Sequence, residues 1–178
     1  MRIFLSGPMG SGKSDVAPRV ARRLGVAALD LDCVIAEETG ASVSELFRRE
    51  GEPRFREREA DVLRRLLASA KDCVIALGGG TVTNASLRHA LLQAGTLVTL
   101  EAPIATLAAR VGRAESRPLL SGRDVAGELE ALVRGLVRDP PLERYGAQSA
   151  AIVAGRWIFG PEAGAAALRG IFERPGRR

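Results

Sequence analysis

The chain has 178 residues, enough for one domain with a substantial core and short appended lobes. Its 26 basic and 21 acidic residues leave a net charge of +5 spread along the chain, and aromatic residues make up only 4%. This suits small anionic ligands and argues against nucleic acid, which is bound by basic tracts and stacking platforms. No apolar stretch approaches the roughly 18 residues of a membrane span, so no membrane partner is expected.

Met1-Arg2 leads directly into an apolar run with no charged leader ahead of it, from which a cytosolic protein is expected. Arg2–Ser6 reads as a buried strand. It enters Gly7-Pro8-Met9-Gly10-Ser11-Gly12-Lys13-Ser14, which fits G-x-x-x-x-G-K-[ST] in its strand-loop-helix setting. Gly7, Gly10 and Gly12 let backbone N–H groups turn inward as a nest for phosphate oxygens, Lys13 can reach β- and γ-phosphates, and the Ser14 hydroxyl can bind Mg²⁺. A nucleoside triphosphate is the expected ligand. The following helix, Lys13–Leu24, contains Pro18 and is closed by Gly25.

Residues 26–31 read as a second strand ending in Asp30-Leu31-Asp32. On a strand, side chains at i and i+2 share a face, so both carboxylates are expected at the carboxyl end of the sheet, where ligands bind. One acid then suits a metal shell and the other a substrate hydroxyl. Ser42-Val43-Ser44-Glu45 has the form of a capping box and predicts a helix that stops near Gly51. A second helix over about residues 54–67 buries Phe55, Val62, Leu63, Leu66 and Leu67, with Arg56, Glu57, Arg58 and Glu59 on its polar positions, a pattern usual for a solvated face.

Residues 72–77 form a third predicted strand that enters Gly78-Gly79-Gly80, a run suited to close approach of backbone to a ligand or another segment. A helix over 84–93 stopped by Gly95, a strand at Thr96–Glu101 and a helix over 104–110 follow. His89 is expected at the surface, and Cys33 and Cys73 form neither a disulfide framework nor a zinc site. Residues 112–123, polar and bearing Arg113, Arg117 and Arg123, have the composition of a lid that closes over phosphates. A helix over 125–137, a short strand at 151–154, a helix near 162–172 and a fraying tail from 174 complete the chain. The alternation predicts an α/β fold with a parallel sheet flanked by helices.

The ordered set of phosphate loop, Asp30-Leu31-Asp32, Phe55-Arg56, Gly78-Gly79-Gly80, Arg117-Pro118-Leu119-Leu120 and Arg138-Asp139-Pro140 resembles shikimate kinase, from Ile3 to about Gly146. The resemblance implies a single three-layer P-loop kinase domain with a five-stranded parallel sheet, a small substrate-binding lobe at about 32–60 and a lid at about 112–124. It implies transfer of the ATP γ-phosphoryl group to the 3-hydroxyl of shikimate by a monomeric enzyme of aromatic amino-acid biosynthesis. By carry-over, Gly10, Ser11, Gly12, Lys13 and Ser14 bind nucleotide, Ser14 and Asp30 serve Mg²⁺, and Arg110 lies near the adenine. Asp32 binds the reacting hydroxyl, Arg56 and Arg138 clamp the carboxylate, Gly78, Gly79 and Gly80 line the hydroxyls, and Arg117 reaches phosphate from the lid.

The chain departs from the family in having Asp15 where threonine is usual and Pro141-Leu142 in the late motif, with Tyr145 displaced and Arg144 as a second candidate for the clamp. Two other readings share parts of this pattern. One is a related kinase of gluconate or a nucleoside monophosphate, and the other is a P-loop module that binds nucleotide without catalysis.

Overall fold

The computed structural model describes residues 1–69, 71–111 and 127, and the backbone of 149–153 and 156–159. Strands β1 (Arg2–Ser6), β2 (Ala27–Asp30), β3 (Cys73–Ala76), β4 (Thr96–Glu101), β5 (Ser149–Val153) and β6 (Arg156–Phe159) form one sheet in the order β2-β3-β1-β4-β5-β6. The first five in that order run parallel, as the sequence predicts, and β6 adds an antiparallel edge strand beyond the five expected. The helices expected over 125–137 and 162–172, the lid stretch, and Arg117, Arg138 and Arg144 lie outside the described residues, apart from a helical Gly127.

The central strands are apolar because both faces are covered. Ile3, Leu5, Val74, Ala76, Val98 and Leu100 pack with Ala17, Val20 and Ala21 of α1 (Lys13–Leu24). On the opposite face Phe4, Ile75 and Leu97 pack with Leu31 and Ile35 of α2 (Leu31–Thr39), Phe55 and Leu63 of α3 (Val43–Ala68), and Leu87 and Leu91 of α4 (Ala85–Ala94). Strand alternation at a period of two thus divides one short apolar run between two cores, giving three layers. The apolar stripe of α5 (Ile104–Val111) buries Leu107 and Val111.

Local signals place the helix ends. Gly25 closes α1 in the left-handed conformation at φ 69°. Ser42 and Glu45 form the predicted reciprocal cap, with Ser42 N–H donating to Glu45 Oε2 at 2.8 Å and Glu45 N–H donating to Ser42 Oγ at 3.3 Å. α3 is two helical arms joined at Gly51, whose φ of 77° and ψ of 166° belong to a region almost exclusive to glycine. The predicted stop near Gly51 is therefore correct.

Register brings the motifs to one edge. Leu5 and Asp30 both pair with Ala76, so the residues that follow β1, β2 and β3 emerge side by side at the carboxyl ends of the strands. Ser6 continues the row toward β4, where its Oγ lies 2.8 Å from Thr99 Oγ1.

Gly7, at φ 134°, is where β1 becomes loop, and a Cβ there would overlap the Leu100 carbonyl oxygen of β4. At Gly12, φ is 92° but a Cβ would meet nothing within 4 Å. We expect Gly7→Ala to lose roughly 3 kcal/mol or more in urea unfolding, combining backbone strain with a clash against backbone, and Gly12→Ala to lose only about 1–2 kcal/mol. Equal losses would show that conformation alone, and not the approach to β4, demands the first glycine.

Candidate active site

The phosphate loop takes the shape its sequence demands. Gly10 and Gly12 have φ of 78° and 92°, and α1 opens directly from Gly12 with no side-chain cap. Its first-turn N–H groups are thereby presented at the positive end of the helix dipole. Lys13 folds back over the loop, its Nζ donating to Gly7 O at 2.8 Å and Pro8 O at 3.0 Å. Ser11 Oγ is buried with no hydrogen-bond partner among the described residues, a polar atom in want of a ligand. Arg110, at the exposed end of α5, donates to Gly10 O at 3.0 Å, and Asp15 points outward in the first turn of α1.

The sequence reading of the acid pair needs a correction. β2 ends at Asp30, and Asp32 belongs to the first turn of α2, a helix that the sequence reading did not foresee. Asp30 is its N-cap, with Oδ1 accepting from Asp32 N–H at 3.1 Å and Cys33 N–H at 3.4 Å. A side-chain oxygen that satisfies orphan helix donors wins over strand alternation here. The other oxygen, Asp30 Oδ2, accepts from Ser14 Oγ at 2.7 Å, tying the cap to the phosphate loop.

Asp32 is half-buried, and its pKa is pushed up from 3.8 to about 6. Burial is the largest cause, followed by the negative charges of Asp30 and Glu59, while Lys13 and Arg56 work in the opposite direction. A Cβ on Gly78 would stand 3.3 Å from Asp32 Oδ1. The carboxylate therefore lies against the glycine run.

Arg56 reaches the same run from α3. A Cβ on Gly80 would stand 2.6 Å from Arg56 Nη2, although Gly80 has an ordinary φ of −108°. Glycine is required there by space for the guanidinium. Arg56 Nη1 donates to Glu59 Oε2 at 3.0 Å, Nη2 donates to Glu52 Oε1 at 3.1 Å, and the guanidinium lies 5.9 and 5.6 Å from the ring centroids of Phe47 and Phe55. Burial opposes the Arg56 charge, but Glu59 and then Glu52 outweigh it and hold its pKa above the usual value.

Glu59 is the residue the sequence reading misplaced. It is 1% exposed, not part of a solvated face. Beyond Arg56 it accepts from Thr81 Oγ1 at 2.6 Å, and a Cβ on Gly78 would overlap its Oε1. A readable signal existed, because Phe55, Glu59, Val62, Leu63 and Leu66 recur at i, i+4, i+7, i+8 and i+11, which puts Glu59 in the apolar stripe.

Gly79 completes the convergence, since a Cβ there would meet Met9 of the phosphate loop at 3.6 Å. The structure thus gathers Gly10, Ser11, Gly12, Lys13, Ser14, Asp30, Asp32, Arg56 and Gly78 to Gly80 around one edge, with Arg110 beside the loop. His89 is exposed as expected, Cys33 and Cys73 are unpaired thiols, and the described residues contain no cluster of three metal-ligating side chains. Among them no helix is long and apolar enough to cross a membrane.

Residues 9–144 match the family model of shikimate kinase. The shikimate kinase of Salinibacter ruber is 49% identical over 121 residues, covering 67% of this chain and 59% of that protein. That of Chloroherpeton thalassium is 43% identical over 122 residues, covering 68% of this chain and 65% of that protein, so the match spans less than two thirds of the length of either relative. Among solved structures, shikimate kinase from Acinetobacter baumannii in complex with shikimate superposes with a TM-score of 0.77 at 34% identity, covering 99% of this chain and 95% of that one. A parallel sheet that delivers a phosphate loop, an acid and a guanidinium to one glycine run, and a family match over most of its length, agree that the chain belongs to the shikimate kinase family.

Proposed function

We propose that the protein transfers the γ-phosphoryl group of ATP to the 3-hydroxyl of shikimate, giving shikimate 3-phosphate and ADP. The observation that carries this reading is the meeting of Asp32 and Arg56 on opposite ends of Gly78 to Gly80, beside the phosphate loop. A guanidinium fork suits a carboxylate and an acid suits a hydroxyl, so a rigid ring bearing one at each end is held with its hydroxyl toward the phosphates. The solved relative from Acinetobacter baumannii binds shikimate, which supports the same acceptor here.

In this reading Gly10, Ser11, Gly12, Lys13 and Ser14 bind the triphosphate, Lys13 neutralises charge on the transferred group, and Arg110 flanks the base. Ser14 and Asp30 are hard oxygen donors joined at 2.7 Å, a set that fits Mg²⁺ held by one hydroxyl, one outer-shell acid and phosphate oxygens. Bound there, Mg²⁺ supplies charge neutralisation on the β- and γ-phosphates. Asp32 accepts the hydroxyl proton as the acceptor oxygen bonds to phosphorus and the bond to the ADP oxygen breaks. Arg117 from a lid over about 112–124 and Arg138 or Arg144 beside Arg56 complete the cationic set, and residues about 32–60 form the acceptor lobe. A monomer in the cytoplasm, acting on these small molecules without nucleic-acid or membrane partners, belongs to the same proposal.

ATP turnover with Mg²⁺ and shikimate, gluconate, a nucleoside monophosphate or no acceptor tests it directly. ADP release that depends on shikimate is expected. Dependence on another acceptor reassigns Arg56, and nucleotide binding without turnover supports the non-catalytic module.

Asp32 should show opposite effects on activity and stability. Asp32→Asn is expected to lower kcat by about 100-fold or more while changing nucleotide Kd by less than about threefold. In the unliganded enzyme the wild-type kcat/KM for shikimate should fall as pH drops through about 6, because the protonated acid accepts nothing. A folded pKa raised from 3.8 also means stability that is full below 3.8 and lost as pH rises through about 6, so Asp32→Asn should melt higher than wild type at pH 8 and not at pH 3. The ceiling is roughly 3 kcal/mol, reduced by the solvent that reaches this half-buried group. A lower melting temperature at pH 8 would show that Asp32 is structural.

Arg56→Ala is expected to raise the shikimate KM by about 10- to 100-fold with ATP KM little changed. Gly80→Ala should reproduce part of that rise by displacing the flexible guanidinium, with less than about 1 kcal/mol lost in urea unfolding. Normal shikimate KM in both variants would move the clamp elsewhere.

A further inference from the structure

Thr81 lies one residue beyond the glycine run, in the 3-10 turn Thr81–Thr83, and is 1% exposed. Its hydroxyl lies 2.6 Å from Glu59 Oε1 and 3.1 Å from Gly78 O. One hydroxyl has one proton, and the shorter, charge-assisted bond to a buried carboxylate takes it. Gly78 O is held instead by the Thr81 N–H at 3.2 Å. Side chain and backbone of a single residue therefore grip both Glu59 and the first carbonyl of the glycine run.

The two oxygens of Glu59 are divided between two partners. Oε1 takes the Thr81 hydroxyl and Oε2 takes Arg56 Nη1. Neighbouring contacts immobilise the rest of the loop, with Thr83 Oγ1 donating to Gly80 O at 2.7 Å and Arg88 Nη1 donating to Val82 O at 2.9 Å. Meanwhile the N–H groups of Gly78, Gly79 and Gly80 donate no hydrogen bond among the described residues. The carbonyls of Gly78 and Gly80 are fastened within the turn.

We infer that Thr81 is a positioning residue for the acceptor, and that its hydroxyl sets the orientation of the Glu59 carboxylate and through it the direction in which Arg56 presents its fork. This rests on the kinase reading with Arg56 as the acceptor clamp. Without the hydroxyl, Oε1 is left buried with no donor, and Glu59 relieves this by turning toward Arg56 with both oxygens, drawing the guanidinium off Gly80. Among the described residues neither Thr81, Glu59 nor Arg56 hydrogen-bonds the phosphate loop, so nucleotide binding is spared.

Thr81→Val keeps the shape and removes the donor, and Thr81→Ser restores it. Steady-state kinetics should show shikimate KM raised about tenfold in the Val variant, ATP KM within about twofold of wild type, and the Ser variant within about threefold for both substrates. Calorimetric titration of shikimate without nucleotide should show the same tenfold loss. If thermal melting finds the Val variant unfolded, Thr81→Ala is read in its place by the same measurements. An unchanged shikimate affinity in the variant, or ATP and shikimate KM rising together, overturns the inference while wild-type turnover leaves the kinase reading standing. A wild-type protein that neither binds nor phosphorylates shikimate overturns both.

Discussion

A carboxylate removed from water must be matched by donors, and the organisation of this site depends on how Glu59 is matched. It receives one cation from its own helix, Arg56, and one hydroxyl from another part of the chain, Thr81. The Thr81 bond joins α3 to the loop after β3, across a separation of 22 residues between Glu59 and Thr81. α3 itself supplies the contacts of the Arg56 guanidinium, and Thr81 steadies one of them, Glu59, from outside the helix. With Glu59, Glu52 and the two phenylalanine rings around it, the guanidinium has one place to be.

The same arrangement works against stability elsewhere. Burial raises the pKa of Asp32, and the negative charges of Asp30 and Glu59, both within electrostatic reach of it, raise it further. An acid kept half-protonated near pH 6 is poorly suited to holding a fold together and well suited to exchanging a proton. Lys13 and Arg56 moderate the repulsion.

What could be read from the sequence follows from how local its causes are. The phosphate loop, the Ser42–Glu45 cap and the break at Gly51 depend on backbone conformations and short-range bonds that neighbouring residues specify, and all are present. The acid pair was misassigned to a strand because the alternation rule ignores the competing ability of Asp30 to cap a helix. Glu59 was misassigned because a run of Arg and Glu on a helix looks solvated until another segment lands on it, and that segment, the turn after Gly80, is distant in sequence. β6 pairs with the strand just before it, but its four residues are too few to show a strand period in the sequence. The roles of Arg117 and Arg138 rest on sequence resemblance alone.

The most direct test of the central claim is a carbon-detected NMR titration of the Asp32 side chain in the unliganded protein, in wild type and in Glu59→Gln. If Glu59 is an ionised hub that organises this edge and acts on its neighbour, Asp32 should titrate at about 6 in wild type and measurably lower in the variant. An Asp32 that titrates at the same pH in both proteins would show that Glu59 does not act on it, and the electrostatic account of the site would fail.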